Sequence, residues 1–387
     1  MDDVWSFFHR RSIQTLLRGL RPLIFGKTGW RRVQGLRLLY RLRIEVLLRS
    51  SKPNLLVTPM RVRLWVDSEA FPRIEKLLQR ARHTIVIQMF IWKDDALGRR
   101  IAEVLIGSAD RGVTVFISKE AVGDIFEFHR DFLATRDGGD PLWQRFWNHP
   151  RIRITHAAHH DHGKVFIIDE RIVLLTGMNI ASEYHERWHD YLVELRGRRF
   201  VEQYLSGDAP PGDAAARIRL VANTERHREI RKVLRELLLS ARLSIVIEHA
   251  YFSDPEVIDL LARRTHAGIR VTLILSAVSE FHYHRNMQAA AELMAKADSR
   301  HLQVLLHPRM IHGKIILVDR RRAFMGSANL ITGSLDQMGE VNVLIDGKHR
   351  YALRKLREIL RRDILLSHVL KESPSSFVGK WLAMLRL

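Results

Sequence analysis

The chain has 387 residues, 46% of them hydrophobic and 27% charged, a globular composition that excludes a fibrous or wholly disordered protein. Lys and Arg outnumber Asp and Glu by 63 to 43, and the formal charge of +20 favours an acidic membrane surface or nucleic acid as partner without setting a fold. There is no cysteine, which excludes a disulfide scaffold, a thiolate nucleophile and any zinc site built on Cys.

Residues 1–53 come first and are the most basic. The first fifty carry eleven Lys or Arg against Asp2, Asp3 and Glu45. A helix over 5–25 would put Ile13, Leu16, Leu17, Leu20 and Ile24 on one face, with Arg10, Arg11, Arg18 and Arg21 beside it. That pattern suits a segment lying in a membrane interface, and equally an amphipathic helix packed on a domain. Asp2 and Asp3 stand where a secretory signal would be basic, and no apolar run reaches ~18 residues, so neither a signal peptide nor a transmembrane helix is expected.

From residue 54 onward the chain repeats itself. Ala81, Arg82, Ile85, Val86 and Ile87 return 160 positions later as Ala241, Arg242, Ile245, Val246 and Ile247. Gly112 and Val113–Val115 return as Gly268 and Ile269–Val271, 156 positions later. His162, Lys164, Asp169, Asn179 and Asp190 return as His312, Lys314, Asp319, Asn329 and Glu340 at an offset of 150. A shrinking offset means shorter loops between equivalent elements. The spacing predicts one domain over 54–205, a Gly/Pro/Ala-rich linker over 206–216, a second domain over 217–370 and a tail over 371–387.

Within each half, short β-branched runs (Ile85–Ile87, Val113–Ile117, Val165–Ile168, and their counterparts) alternate with helical stretches such as Ile101–Arg111 and Val257–Ala267. Such a pattern predicts a duplicated α/β fold with a buried, partly parallel sheet in each half.

The repeated His-x-Lys-x4-Asp carries the chemistry. On a strand, His162 and Lys164 point the same way, with Gly163 between them leaving room for close approach. His312, Gly313 and Lys314 repeat this, and Asn179 and Asn329 would return to the same edge. Facing halves would then offer two imidazoles, two ammonium groups and two amides around one cavity, an inventory suited to a phosphodiester. Lysines and amides neutralise and grip the non-bridging oxygens. One imidazole attacks phosphorus while the other protonates the leaving alcohol, with no metal or other cofactor required. Asp190 and Glu340, each 28 residues after the histidine of its own copy, are expected to orient an imidazole. Asp169 and Asp319 follow an apolar strand, where a carboxylate suits a turn or cap.

His156, His159, His160, Asp161 and His162 resemble a metal cluster, but the second copy has Arg309, Met310 and Ile311 before His312, so the cluster is not repeated machinery. Between the sheet elements, Asp124–Pro150 holds Phe126, Phe128, Trp143, Phe146 and Trp147. Its aromatic content suggests a lining for lipid entry, or else a helical hairpin packing its own core.

The residues His162-x-Lys164-x4-Asp169 and His312-x-Lys314-x4-Asp319-x6-Gly326-Ser327-Ala328-Asn329 resemble the paired HKD motifs of the phospholipase D superfamily. With Phe90-Ile91-Trp92 and Asp94, Gly177-Met178-Asn179-Ile180, Trp188-His189-Asp190, and Tyr251-Phe252 with Asp254, the chain is most similar to bacterial cardiolipin synthases over residues 64–365. The resemblance implies two phospholipase D-like domains with one active site at their interface. It implies a phosphohistidine on His162, His312 as general acid and then base, and Asp169 and Asp319 counted with the catalytic motif. Lys164, Lys314, Asn179, Asn329 and Ser327 would bind phosphate. The implied reaction moves a phosphatidyl group to an alcohol on a second lipid such as phosphatidylglycerol, at the cytoplasmic face of a bacterial inner membrane. The first copy departs from the pattern, having Thr176-Gly177 where Gly-Ser is usual. Hydrolysis to phosphatidic acid uses the same intermediate. A nuclease would also suit the charge, but the basic residues concentrate beside Leu, Ile, Phe and Trp, and no nucleic-acid-binding module is recognisable. Nothing in the sequence sets an oligomeric state.

Overall fold

A computed structural model describes residues 61–120, 123, 140–157, 161–206, 218–224, 227–278, 282–347 and 350–371. The expectations for residues 1–53, the linker, the tail, Phe126, Phe128, His159 and His160 lie outside these residues.

Strands are numbered in chain order. The first half contains β1 (Arg61–Val66), β2 (Thr84–Met89), β3 (Thr114–Glu120), β4 (Ile152–Ala157), β5 (Lys164–Ile168), β6 (Ile172–Thr176) and β7 (Tyr191–Arg196). They form one sheet in the order β1-β7-β6-β5-β2-β3-β4. The second half contains β8 (Ile218–Asn223), β9 (Ser244–His249), β10 (Arg270–Ser276), β11 (Leu302–His307), β12 (Lys314–Val318), β13 (Arg322–Gly326), β14 (Glu340–Asp346) and β15 (His368–Val369). Read from one edge, its order β8-β14-β13-β12-β9-β10-β11-β15 repeats the first sheet and adds one short strand. Only the β2-β3-β4 and β9-β10-β11 pairings are parallel. The others are antiparallel, so each sheet is mixed. The duplicated α/β reading is therefore correct.

Burial follows from the layers. The helices Ala70–Gln79, Ala96–Asp110 and Pro141–Asn148 cover the outer face of the first sheet, and Ile230–Leu239, Pro255–His266 and Tyr283–Lys296 cover that of the second. The inner faces share a third core. Val165, Val173 and Val193 of the first sheet join Ile315, Met325 and Val343 of the second, together with Phe200 and Leu356 from the helices Arg198–Ser206 and Arg350–Leu366. With apolar groups on both faces, β5 and β12 are buried along their whole length, which accounts for their unbroken apolar runs. On the edge strand β1, Val62, Leu64 and Val66 turn inward between exposed Arg61 and Arg63.

The β5–β6 and β12–β13 hairpins turn through two consecutive residues with positive φ, Asp169-Glu170 (50° and 53°) and Asp319-Arg320 (51° and 58°). Such two-residue turns match the strand twist.

Candidate active site

Each histidine stands immediately before a central strand, His162 before β5 and His312 before β12. Backbone pairing between the halves brings them together. His162 N donates to Gly339 O at 2.7 Å, and His312 N donates to His189 O at 2.8 Å. Parallel bridges at Asp161–Gly339 and His189–Ile311 make the same junction twice. The glycines fit this crowding. A Cβ on Gly313 would lie 2.8 Å from Tyr191 Cε2, and one on Gly163 would lie 3.1 Å from Gln88 Nε2 and 3.4 Å from Val341 Cγ2.

The carboxylates cross over. His312 Nδ1 donates to Asp190 Oδ2 at 2.7 Å, and His162 Nδ1 donates to Glu340 Oε1 at 3.0 Å. Each acid serves the histidine of the opposite copy, whereas the sequence reading counted it from its own. Position along the chain carries no information about which copy a side chain faces. Both acids are buried.

Beneath them the copies differ. Ser327, expected at phosphate, donates its hydroxyl to Glu340 Oε2 at 2.5 Å and accepts from Val341 N at 3.0 Å. It therefore supports the acid, and that expectation is corrected. Ser334 donates to Glu340 Oε1 at 2.5 Å. At the equivalent of Ser327, Gly177 admits Asp190, since a Cβ there would lie 2.8 Å from Asp190 Oδ2. At the equivalent of Ser334 stands Tyr184, which accepts from Asn179 Nδ2 at 2.8 Å.

Lys164 and Lys314 are buried, donating to the carbonyls of His162 at 2.7 Å and His312 at 2.6 Å. Lys164 Nζ also lies 5.2 Å from the Phe90 ring centre. Asn179 Oδ1 accepts from Ile91 N at 3.1 Å, so this side chain is tied at both ends. Asn329 Oδ1 has no partner among the described residues. Aromatic rings surround the imidazoles. Phe90 lies edge-on to His162 at 5.0 Å, while Tyr184 and Trp188 approach His312 at 4.9 and 5.4 Å. Sequence reasoning missed Tyr184 and Ser334, although the 150-residue offset already pairs them, and gave Phe90 and Trp188 only as parts of the resemblance.

Asp169 and Asp319 lie elsewhere. Each lies seven positions from its histidine, at the far end of the five-residue strand β5 or β12, roughly 20 Å away at strand rise. Asp169 accepts from the backbone of Arg82, His83 and Thr84, and Asp319 from Arg242, Leu243 and Ser244. They are caps at the starts of β2 and β9, which corrects their grouping with catalytic residues. Trp143 and Phe146 are buried in the core of the first half with Trp92, as the second of the two readings of this segment has it.

Burial and the paired cations set the protonation states. Burial, reinforced by Lys314, pushes His312 down to about 3 despite Asp190. His162 is lowered by burial and Lys164, against the pull of Glu340. Burial brings Lys314 down to about 8 and holds Lys164 well below the usual lysine range. Burial would raise Glu340, but His162 and Lys164 keep it below the ordinary carboxylate value. Both imidazoles are thus neutral near pH 7, each with Nδ1–H on a carboxylate and the Nε2 lone pair available for chemistry.

The family profile described as "Cardiolipin synthase, PLD-like domain" matches residues 74–206 and 234–364, one segment in each half. Cardiolipin synthase A of Pseudomonas aeruginosa is 29% identical over 312 residues, covering 73% of this chain. This chain spans 63% of that relative's length. Cardiolipin synthase B of Escherichia coli K12 is 25% identical over 311 residues, 72% of this chain and 74% of the relative. Among solved structures, phosphatidylserine synthase of Haemophilus influenzae shares the fold, with a TM-score of 0.63 at 16% identity, over 81% of this chain and 88% of that one. The family profile covers more than half of the residues, and the chain belongs to the phospholipase D superfamily, in its cardiolipin synthase, PLD-like domain family.

Proposed function

We propose that the protein is a phosphatidyltransferase of cardiolipin synthase type, working through a phosphohistidine. The observation that carries this reading is the crossed pair His162–Glu340 and His312–Asp190, with two buried lysines between them. His162 Nε2 attacks phosphorus of a phosphatidyl donor, and the bond to the head-group oxygen breaks. His312, which takes up a proton at Nε2 when the anionic substrate binds, gives that proton to the leaving alkoxide. An alcohol of a second lipid then loses its proton to His312 and attacks the phosphohistidine, restoring His162. Burial first, and the lysine charge after it, keep His312 neutral; the bound phosphodiester anion offsets the lysine charge, so substrate binding raises the proton affinity of the acid. Lys164, Lys314 and the amide of Asn329 stabilise charge on the non-bridging oxygens.

His162 takes the nucleophile's place because its side chain is the more open of the two, 12% exposed against 4% for His312. The donor and acceptor proposed are phosphatidylglycerol, and the working surface is an anionic membrane approached from the cytoplasmic side. No helix of the described residues is long and apolar enough to cross a membrane. Incubation with phosphatidylglycerol vesicles and mass spectrometry of the lipids tests this. Cardiolipin and glycerol are expected, and neither from His162→Ala. Phosphatidic acid alone would replace the transferase with a hydrolase, and no lipid product would turn attention to nucleic acid.

A further inference from the structure

Behind β12, the strand that follows His312, a second set of buried titratable groups gathers where the two halves meet. The phosphoryl chemistry does not use it. His189, Glu248 and Asp363 are buried, and each offers a donor atom within 4.8 Å of the others. His189 Nε2 stands 3.3 Å from Glu248 Oε1 and 3.3 Å from Asp363 Oδ2. The His307 ring stacks on His189 with centroids 5.8 Å apart, and its Nε2 lies 3.8 Å from Asp363 Oδ1.

Among the described residues, two atoms of this cluster, Glu248 Oε2 and His307 Nε2, are buried without a hydrogen-bond partner, and Asp363 Oδ2 has only its 3.3 Å ion pair with His189. A buried polar atom left unsatisfied costs on the order of 1–3 kcal/mol, and two in one place point to a missing ligand. The spacing indicates its class. Donors held about 2.0–2.1 Å from a tetrahedral zinc ion lie roughly 3.3–3.4 Å apart. His189 Nε2 already has that separation from both carboxylates. The surrounding support fits too. His189 Nδ1 donates to Asp67 Oδ1 at 2.7 Å, and Arg309 holds Asp67 at 2.6 Å. A carboxylate behind the second ring nitrogen is what orients a metal-bound histidine.

The duplication provides an internal control. In the sheet registers and bridges, Glu248, His189, Tyr191 and His307 correspond to Gln88, Gly339, Val341 and Ala157. At the corresponding place the Tyr204 hydroxyl donates to Gln88 Oε1. The fold therefore does not demand a charged cluster there. Two groups approach the cluster: the Tyr191 hydroxyl, 3.0 Å from His189 Nε2 and donating to Glu248 Oε1 at 2.7 Å, and Arg362, 3.4 Å from Asp363. A cation there would take the place of this hydrogen bond: the Tyr191 hydroxyl turns away with its proton, and the proton on His189 Nε2 passes to solvent.

We propose that His189, Glu248 and Asp363, with His307 as fourth donor, form a binding site for a divalent transition-metal ion of the zinc class, which staples the two halves behind the active site. The mixed imidazole and carboxylate donors suit zinc or cobalt better than magnesium or calcium. The test is to incubate the untagged full-length chain with Zn2+ or Co2+, remove free metal by gel filtration and measure metal content. About one ion per chain, a visible Co2+ spectrum of tetrahedral type and a raised melting temperature are expected. Glu248→Gln and Asp363→Asn should each lose the ion. His162→Asn and the double variant His159→Ala, His160→Ala should retain it. If the buried-carboxylate variants do not fold, His307→Gln serves instead, and an altered Co2+ spectrum is expected. A folded wild-type chain without metal would overturn the proposal. So would metal retained by Glu248→Gln and lost from His162→Asn, or a Co2+ spectrum unchanged in His307→Gln.

Discussion

Glu340 is one methylene longer than Asp190, and the difference is absorbed by what stands beneath each carboxylate. Two serine hydroxyls hold Glu340, whereas Asp190 rests on the bare backbone of Gly177 and accepts from Tyr191 N at 2.7 Å. Replacing either acid by its amide keeps the shape and loses the charge that fixes the imidazole tautomer. Glu340→Gln and Asp190→Asn should each lower kcat by on the order of 10²–10⁴-fold with little change in KM. A loss confined to KM would contradict the orienting role. The histidines also predict a pH response. The folded state holds His312 at about 3, below its ordinary 6.5, so the unfolded chain binds the extra proton between those values. Stability is therefore full above pH 6.5 and falls as pH drops toward 3, by at most about 1.4 kcal/mol per pH unit for one group. Urea midpoints at pH 7.5 and 5 should show this fall, and it should be shallower in His312→Asn. At this scale the repeat made the His, Lys and Asn pairs legible in the sequence, because each member appeared twice at one offset. The crossing of the acids was not legible. Nor was the task of Ser327, whose hydroxyl faces a neighbouring strand rather than the cavity.

At the scale of elements, the short apolar runs marked the strands; the helix starts are capped by Asp95, Asp140 and Asp254, which accept from Gly98 N, Leu142 N and Val257 N, a signal that the sequence reading did not draw on. Strand direction was less accessible, because a buried antiparallel strand such as β5 reads like a parallel one when both faces are covered. The aromatic segment stayed ambiguous for a related reason: Trp143, Phe146 and Trp147 recur at helical spacing, which is as natural for a core-facing helix as for a lipid channel. Asp169 and Asp319 are legible once their place at a strand end is taken seriously. Each ties its own hairpin turn to the first residues of a neighbouring strand through three backbone N–H groups. Asp319 is held below the usual aspartate range by Ser244, Arg242 and Leu243, which outweigh the effect of burial. Asp319→Ala should cost about 1–3 kcal/mol of stability while kcat at permissive temperature stays within a few-fold. A collapse of kcat in fully folded protein would return the residue to the catalytic group.

At the scale of the whole molecule, the charge of +20 and the site meet in one proposal. The basic residues 1–53 would bring the chain to an anionic leaflet, each contributing about 1 kcal/mol near the surface. Deleting 1–53 should weaken sedimentation with phosphatidylglycerol vesicles, and 0.5 M salt (on the order of a Debye length of 4 Å) should weaken that of the intact chain. Equal binding by both forms would place membrane contact on the catalytic body instead.

The crossed carboxylates also bear on how such a site can evolve. If two identical chains met around this cavity, any substitution would fall on both sides at once, and the attacking and protonating histidines could never be adjusted separately. With both copies in one polypeptide, Gly177 with Asp190 and Ser327 with Glu340 are free to diverge. The two imidazoles then have different neighbours, and selection can divide the labour between them. Fusion converts a symmetric pair into two independently heritable roles.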